Sequence, residues 1–240
     1  MSNIILLKQE LKNFGNPSKA KIFQRFFKTG KGEYGEGDIF LGLTVPQQRK
    51  IAKKFNHLSL KQLQKLLSSK IHEYRSTALF VLIDKYKKSD TVGQREIFNF
   101  YLTNSRFINN WDLVDISAPK IIGDYIFKHP KKTQTLYKLA RSNNLWQKRI
   151  AILSTFAFIK NNKLEETLRI SKILINDEHD LIHKACGWML REVGKKDEKV
   201  LLKFLNQYSH KIPRTMLRYA IEKFDEKKRK FYLSLKVLAD

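Results

Sequence analysis

The chain holds a single cysteine, Cys186, in 240 residues. That excludes an intrachain disulfide and any cysteine-rich metal quartet. Prolines number five and glycines ten, and no Ser/Pro-rich linker or low-complexity segment interrupts the sequence, so residues 1–240 read as one domain. No stretch approaches the roughly eighteen uninterrupted apolar residues of a membrane span. The first ten residues, Met1 to Glu10, lack the basic start, long apolar run and small-residue cleavage site of a secretory leader. A soluble intracellular protein is expected. The six histidines are scattered. Only His179 and His183 stand four apart; that spacing could chelate a metal but reads as a solvated pair on a helix, and no third acid stands beside it, so neither a metal nor a cofactor is expected. Acidic residues are also scarce, at 23 Asp and Glu against 47 Lys and Arg, a formal charge of +24. Such an excess implies a polyanionic partner: nucleic acid first, with an anionic membrane surface or an acidic protein as alternatives.

What is present is helix. Apolar residues make up 42% of the chain and include 16 Phe and 9 Tyr, enough for a continuous core. They recur at helical spacing over residues 3–14, 17–28, 46–55, 59–68, 71–87, 92–103, 109–118, 119–128, 130–141, 145–160, 163–175, 179–193, 197–208, 213–222 and 226–237. Pro46 suits a first helical turn, and Ser59 with Gln62 has capping-box spacing. Pro119 restricts Ala118 and should open a new helix. Between the second and third helices, Thr29–Asp38 carries four glycines without the spacing or the Lys-Ser/Thr of a phosphate loop. It reads either as a connector or as a loop that closes on a ligand.

Four alanines, Ala78, Ala151, Ala185 and Ala220, sit in similar helical contexts at intervals of 73, 34 and 35 residues. The first interval is about two periods. A unit of about 35 residues made of two helices predicts an all-α solenoid, in which each pair buries its apolar face on its neighbours. Two residues before the last three alanines stand Arg149, His183 and Arg218. A basic position repeated in equivalent helices should line one surface, expected to be the concave one, where it can follow a duplex backbone. A solvated cationic face is the alternative.

The most informative stretch is Asn109-Asn110-Trp111-Asp112-Leu113-Val114-Asp115, which falls in the middle repeat. Trp111 and Asp115 share one helical face, and Asn109 or Asn110 can cap the helix start. Taken alone, the stretch fits a core tryptophan with acids favouring the helix dipole. It also fits an aromatic and a carboxylate facing a cationic ligand. Gly187, inside the predicted helix carrying Trp188, costs about 1 kcal/mol relative to Ala, which implies that a neighbouring helix or a ligand approaches the backbone there.

Tyr34-Gly35-Glu36-Gly37-Asp38, Phe40 to Pro46, Asn109 to Asp115, Trp146-Gln147-Lys148-Arg149, Lys184 to Glu192 and Pro213 to Ala220 together resemble the bacterial AlkD-type DNA alkylation repair family. These segments span nearly the whole chain in the right order. The resemblance implies HEAT-like repeats and a DNA glycosylase that acts on alkylated purines such as N3-methyladenine and N7-methylguanine; a monomer in the bacterial cytoplasm, associated with the nucleoid, is expected. It implies a grip on duplex DNA without a deep base-flipping pocket. By the same resemblance Asp115 is the catalytic carboxylate, Trp111 and Trp188 are the aromatic partners, and Arg149 holds the adjacent phosphate. Lys148, His183, Lys184, Arg214 and Arg218 are the expected DNA-binding residues. Some family members carry an aromatic residue where this chain has Asn110. A helical-repeat protein that binds nucleic acid without catalysis, or a scaffold for acidic partners, would need neither Asp115 nor the tryptophans.

Overall fold

The computed structural model describes residues 3–235. Among them there is no strand, only an isolated parallel bridge between Ile39 and Ile71, and no helix is long and apolar enough to cross a membrane. The fold class is all-α, with helix pairs stacked as in an α-solenoid. The contacts divide it between Ser117 and Ala118 into two compact units.

The first unit contains α1 (Asn3–Asn13), α2 (Pro17–Phe26), α3 (Val45–Lys54), α4 (Leu60–Leu67), α5 (His72–Lys88), α6 (Thr91–Thr103) and α7 (Trp111–Ala118). Helix α5 is its centre. It packs against α1, α3, α4 and α6, and every residue from His72 to Ile83 is buried. The capping box at the start of α4 forms as the spacing predicts, with Ser59 and Gln62 exchanging backbone-to-side-chain bonds of 2.9 and 3.3 Å.

The glycine-bearing segment is tied to the start of α5. The Ile39 N–H donates to the Lys70 carbonyl at 2.9 Å, and the His72 N–H donates to the Ile39 carbonyl at 2.8 Å. The buried Glu73 carboxylate then accepts the N–H groups of Leu41, Gly42 and Leu43 at 2.9, 2.8 and 3.2 Å. Gly42 has φ +88°, and a Cβ there would lie 2.1 Å from the Asn16 carbonyl oxygen, so only glycine fits.

The second unit contains a π-helical turn (Pro119–Gly123), α8 (Asp124–Lys128), α9 (Gln134–Ala140), α10 (Leu145–Ser154), α11 (Phe156–Lys160), α12 (Glu165–Ile173), α13 (Asp180–Lys196), α14 (Glu198–Tyr208), α15 (Arg214–Ala220) and α16 (Glu226–Ser234). The repeat inferred from the alanines is the spacing of packed helices: α10 lies against α13, and α13 against α15. Ala151, Ala185 and Ala220 are all buried.

Several boundaries differ from the sequence expectation; the helix expected over 130–141, for instance, is a 3-10 turn at Pro130–Lys132 followed by α9. Ala118 stays helical, at φ −58° and ψ −45°, so Pro119 does not break the chain direction. Its missing N–H is accommodated by widening into a π turn. The helix expected over 145–160 is divided at Thr155, whose hydroxyl and N–H both turn back to the Ile152 carbonyl. The last helix reaches Ser234; the expected residues 236–237 lie outside the described ones.

Candidate active site

Helix α7 separates its residues by environment. Leu113, Val114, Ser117 and Ala118 are buried, whereas Trp111, Asp112, Asp115 and Ile116 are half-exposed. Trp111 and Asp115, one turn apart, therefore share the row that faces away from the core. Asn110 is fully buried and holds the helix start. Its side-chain oxygen accepts the Trp111 N–H at 2.8 Å, and its carbonyl accepts the Val114 N–H at 3.2 Å. Of the two asparagines expected to cap, Asn110 makes the bond, while the Asn109 side-chain oxygen is buried with no hydrogen-bond partner among the described residues. Below the row, the buried Tyr101 hydroxyl lies 2.8 Å from Ser117 Oγ. Burial pushes its pKa up, and the Asp115 carboxylate adds to that rise.

Trp111 ends a stack of rings. It is parallel to Phe27 at 5.1 Å and 15°, and Phe26 meets it edge-on at 5.8 Å. Phe27 stacks on Phe40 at 5.0 Å, and Phe40 stacks on the His72 imidazole at 4.5 Å. Each such pair contributes about 0.5–1.5 kcal/mol beyond burial. The aromatic neighbours of Trp111 thus come from the end of α2 and the residue after it. The residue immediately before Trp111 is Asn110, not an aromatic.

A buried ionic cluster underlies the stack. Asp38 Oδ2 accepts from Arg75 Nη2 at 2.5 Å and from Asn110 Nδ2 at 3.3 Å, and it faces His72 Nδ1 at 3.1 Å. The other ring nitrogen of His72, Nε2, is 2.8 Å from Asp112 Oδ2. Burial pushes the Asp38 carboxyl up, but His72 and Arg75 outweigh it and hold the group below its ordinary value. The second oxygen of Asp112, Oδ1, is buried without a hydrogen-bond partner among the described residues. Asp112 is thus turned into the protein, and Asp115 is the other carboxylate of α7, on the Trp111 row. Asp38, His72, Phe27 and Phe40 carry no assigned role in the sequence reading. Asp38 and Asp112 stand 34 and 40 residues from His72 in the sequence, and no local spacing marks the cluster.

In the second unit, Trp188 is half-buried and lies 6.4 Å from the Phe156 ring. A Cβ on Gly187 would meet the Met216 carbonyl oxygen and Tyr219 Cβ, each at 2.5 Å, so it is helix α15 that approaches the backbone there. Three expected phosphate-binding residues converge on the start of α13. Arg149 is buried, at 5% exposure, and donates from Nη1 to the Leu181 carbonyl at 2.6 Å. Lys148 pairs with the buried Asp177 carboxylate, and His183 Nε2 donates to the Asp177 carbonyl. His179 accepts the Leu181 N–H at 3.1 Å as the cap of α13, and burial lowers its pKa. Lys184 pairs with Asp180 at 2.7 Å. Arg214 donates to the Leu233 and Leu235 carbonyls at 2.7 and 3.4 Å. Arg218 is exposed. The repeated basic position is therefore uneven: its first member is buried, its second half-buried and its third open to solvent. No cluster of His, Cys, Asp and Glu suited to a metal ion occurs among the described residues.

A solenoid-type stack of helix pairs with a carboxylate–tryptophan row defines a helical-repeat protein with a candidate catalytic face. Its family is given by comparison. The model of the DNA alkylation repair enzyme family matches residues 7–224, and the chain belongs to that family. A solved structure described as a predicted DNA alkylation repair enzyme from Enterococcus faecalis superimposes with a TM-score of 0.69 at 16% identity, covering 88% of this chain and 97% of that one. At that identity the likeness speaks for the fold. No curated protein matches the sequence.

Proposed function

We propose that the protein is a DNA glycosylase that hydrolyses the N-glycosidic bond of cationic alkylated purines, N3-methyladenine and N7-methylguanine, in duplex DNA. The observation that supports this most is the half-exposed Asp115 one turn from a stacked Trp111, in a family of DNA alkylation repair enzymes. A carboxylate in a chain of charge +24 weakens plain DNA binding, so its place on the open row makes sense for chemistry.

Alkylation at N3 or N7 already places positive charge on the purine. When the bond from C1′ to the base breaks, its electron pair leaves with the base, and positive charge develops on the deoxyribose. The Asp115 carboxylate stabilises that oxocarbenium-like state and orients the water whose oxygen bonds to C1′. The products are the free base, an abasic site and a proton. No general acid is required, because the leaving group carries the charge beforehand. The Trp111 face adds cation–π attraction of about 0.5–2 kcal/mol, and Trp188 is a further aromatic contact to the DNA in this reading. Lys184, Arg214 and Arg218 serve the phosphate backbone, Arg218 from the surface. Arg149, Lys148 and His183 serve it indirectly, by fixing the start of the helix that carries Trp188. The test is release of methylated base from alkylated duplex DNA by the wild type and by Asp115→Asn. A protein that binds the duplex and releases no base would favour the non-enzymatic reading.

A further inference from the structure

His72 opens helix α5 with its side chain 3% exposed, and the chemistry proposed above does not use it. Its two ring nitrogens face two different carboxylates, Asp38 at 3.1 Å and Asp112 at 2.8 Å. A neutral imidazole has one N–H and can satisfy only one of them; serving both requires the imidazolium. Asp38 belongs to the segment stitched to α5, and Asp112 belongs to α7. The ring therefore bridges the fixed part of the first unit to the helix that carries Trp111 and Asp115. Phe40 and Phe27 lie against it at 4.5 and 5.1 Å and keep water from competing for its N–H groups.

We propose that His72 is a positioning residue that, as an imidazolium held between Asp38 and Asp112, locks the start of helix α7 and so sets the direction in which Trp111 and Asp115 face the substrate. The catalytic part of this inference rests on the function proposed above. The charged groups facing the ring are Asp112 from α7, Asp38 from the glycine-bearing segment, and Arg75 from α5 itself, whose Nη2 is 3.3 Å from Nδ1. The neighbouring Glu73 is turned to the backbone amides of Leu41, Gly42 and Leu43. Burial pushes the imidazole pKa down and Arg75 opposes the charge, but Asp112 and Asp38 outweigh both and raise it to about 9. The lock is closed at neutral pH and opens as pH rises through that value.

The decisive experiment follows the ring and its consequence in the full chain. By NMR, His72 should titrate near pH 9, as its raised pKa implies, and the Trp111 indole N–H, assigned with Trp111→Phe, should shift with the same midpoint. In Asp112→Asn the midpoint of His72 should fall by about one unit or more as the attraction is removed, and the Trp111 resonance should no longer follow it. In single-turnover release of N7-methylguanine, Asp112→Asn and His72→Gln should each slow the step about tenfold with duplex Kd within about twofold, and the double variant should be no slower than either single one. A Trp111 resonance that ignores the His72 titration overturns the proposal. So do rate losses that multiply in the double variant, or losses confined to Kd. If His72→Gln does not fold, Asp112→Asn, altering a carboxylate that is 20% exposed, decides alone. A wild type that releases no base overturns the glycosylase reading. The Trp111 titration then still decides whether His72 locks the helix.

Discussion

Replacing Glu73 by glutamine tests how the glycine-bearing segment is held in place. Glu73 is 1% exposed. Its Oε1 accepts the Gly42 and Leu43 N–H groups at 2.8 and 3.2 Å, and its Oε2 accepts the Leu41 N–H at 2.9 Å. Glutamine keeps the shape but turns one oxygen into an NH₂ donor. With its remaining oxygen serving Gly42 and Leu43, the amide nitrogen faces the Leu41 N–H, donor against donor. One charge-assisted bond worth about 1.5–3 kcal/mol is lost, and the other two fall from that strength to about 1 kcal/mol, losing about 0.5–2 kcal/mol each, for a total of about 2.5–7 kcal/mol. That is a large share of the roughly 5–15 kcal/mol that holds a typical domain together. Urea denaturation of Glu73→Gln at pH 7 should show this loss, and hydrogen exchange at Leu41, Gly42 and Leu43 should accelerate. The consequence should reach the site, because Asp38 and Phe40, which contact His72, lie immediately before these amides. A loss below about 1 kcal/mol, with unchanged exchange, would refute the claim that the carboxylate anchors the segment.

Stability should also report the charge on His72. Its folded pKa is raised from 6.5 to about 9, so its contribution is fully present below the unfolded value and is lost as pH rises through the folded one. The size is about 3 kcal/mol. The buried Cys186 thiol, pushed up by burial, weakens the fold in the same alkaline direction because the unfolded thiol ionises first. The His72 part is therefore read as the gap in urea stability between wild type and Asp112→Asn, which should narrow from pH 6 to pH 10; a constant gap contradicts it. Gly187→Ala should destabilise the second unit by about 1–2 kcal/mol, since the overpacking against α15 outweighs the helix-propensity gain. A variant more stable than the wild type would show that α15 yields freely.

The helices were legible because apolar residues recur at 3.6-residue spacing and the caps are local, as Ser59 with Gln62 shows. The spacing of Ala151, Ala185 and Ala220 was legible because the helices that carry them pack on one another in the second unit, α10 on α13 and α13 on α15; Ala78 lies in α5 of the first unit. The divided helix at Thr155 was not, since a single hydroxyl turned back to Ile152 leaves no mark in periodicity. The π turn at Pro119 was missed for a related reason: the sequence shows the missing N–H but not the wider turn that absorbs it. In the candidate site, the Trp111–Asp115 row was visible from a spacing of four. The cluster beneath it was not, because Asp38, His72 and Asp112 are brought together by tertiary packing across separations of 34 and 40 residues. Arg149 shows the converse. Its repeat position suggests a surface cation, yet burial against the Leu181 carbonyl depends on the neighbouring helix start, which no repeat pattern encodes.

The central claim is that Asp115 acts on a glycosidic bond. It is tested most directly by incubating methylated duplex DNA with wild type and with Asp115→Asn and quantifying free N3-methyladenine and N7-methylguanine. The wild type should release both bases and leave abasic sites. Asp115→Asn should be slower by about a hundredfold or more, the scale of losing one preorganised electrostatic contact, while remaining folded and binding the duplex at least as tightly. Release at the wild-type rate by the variant, or duplex binding without release by the wild type, would contradict the account.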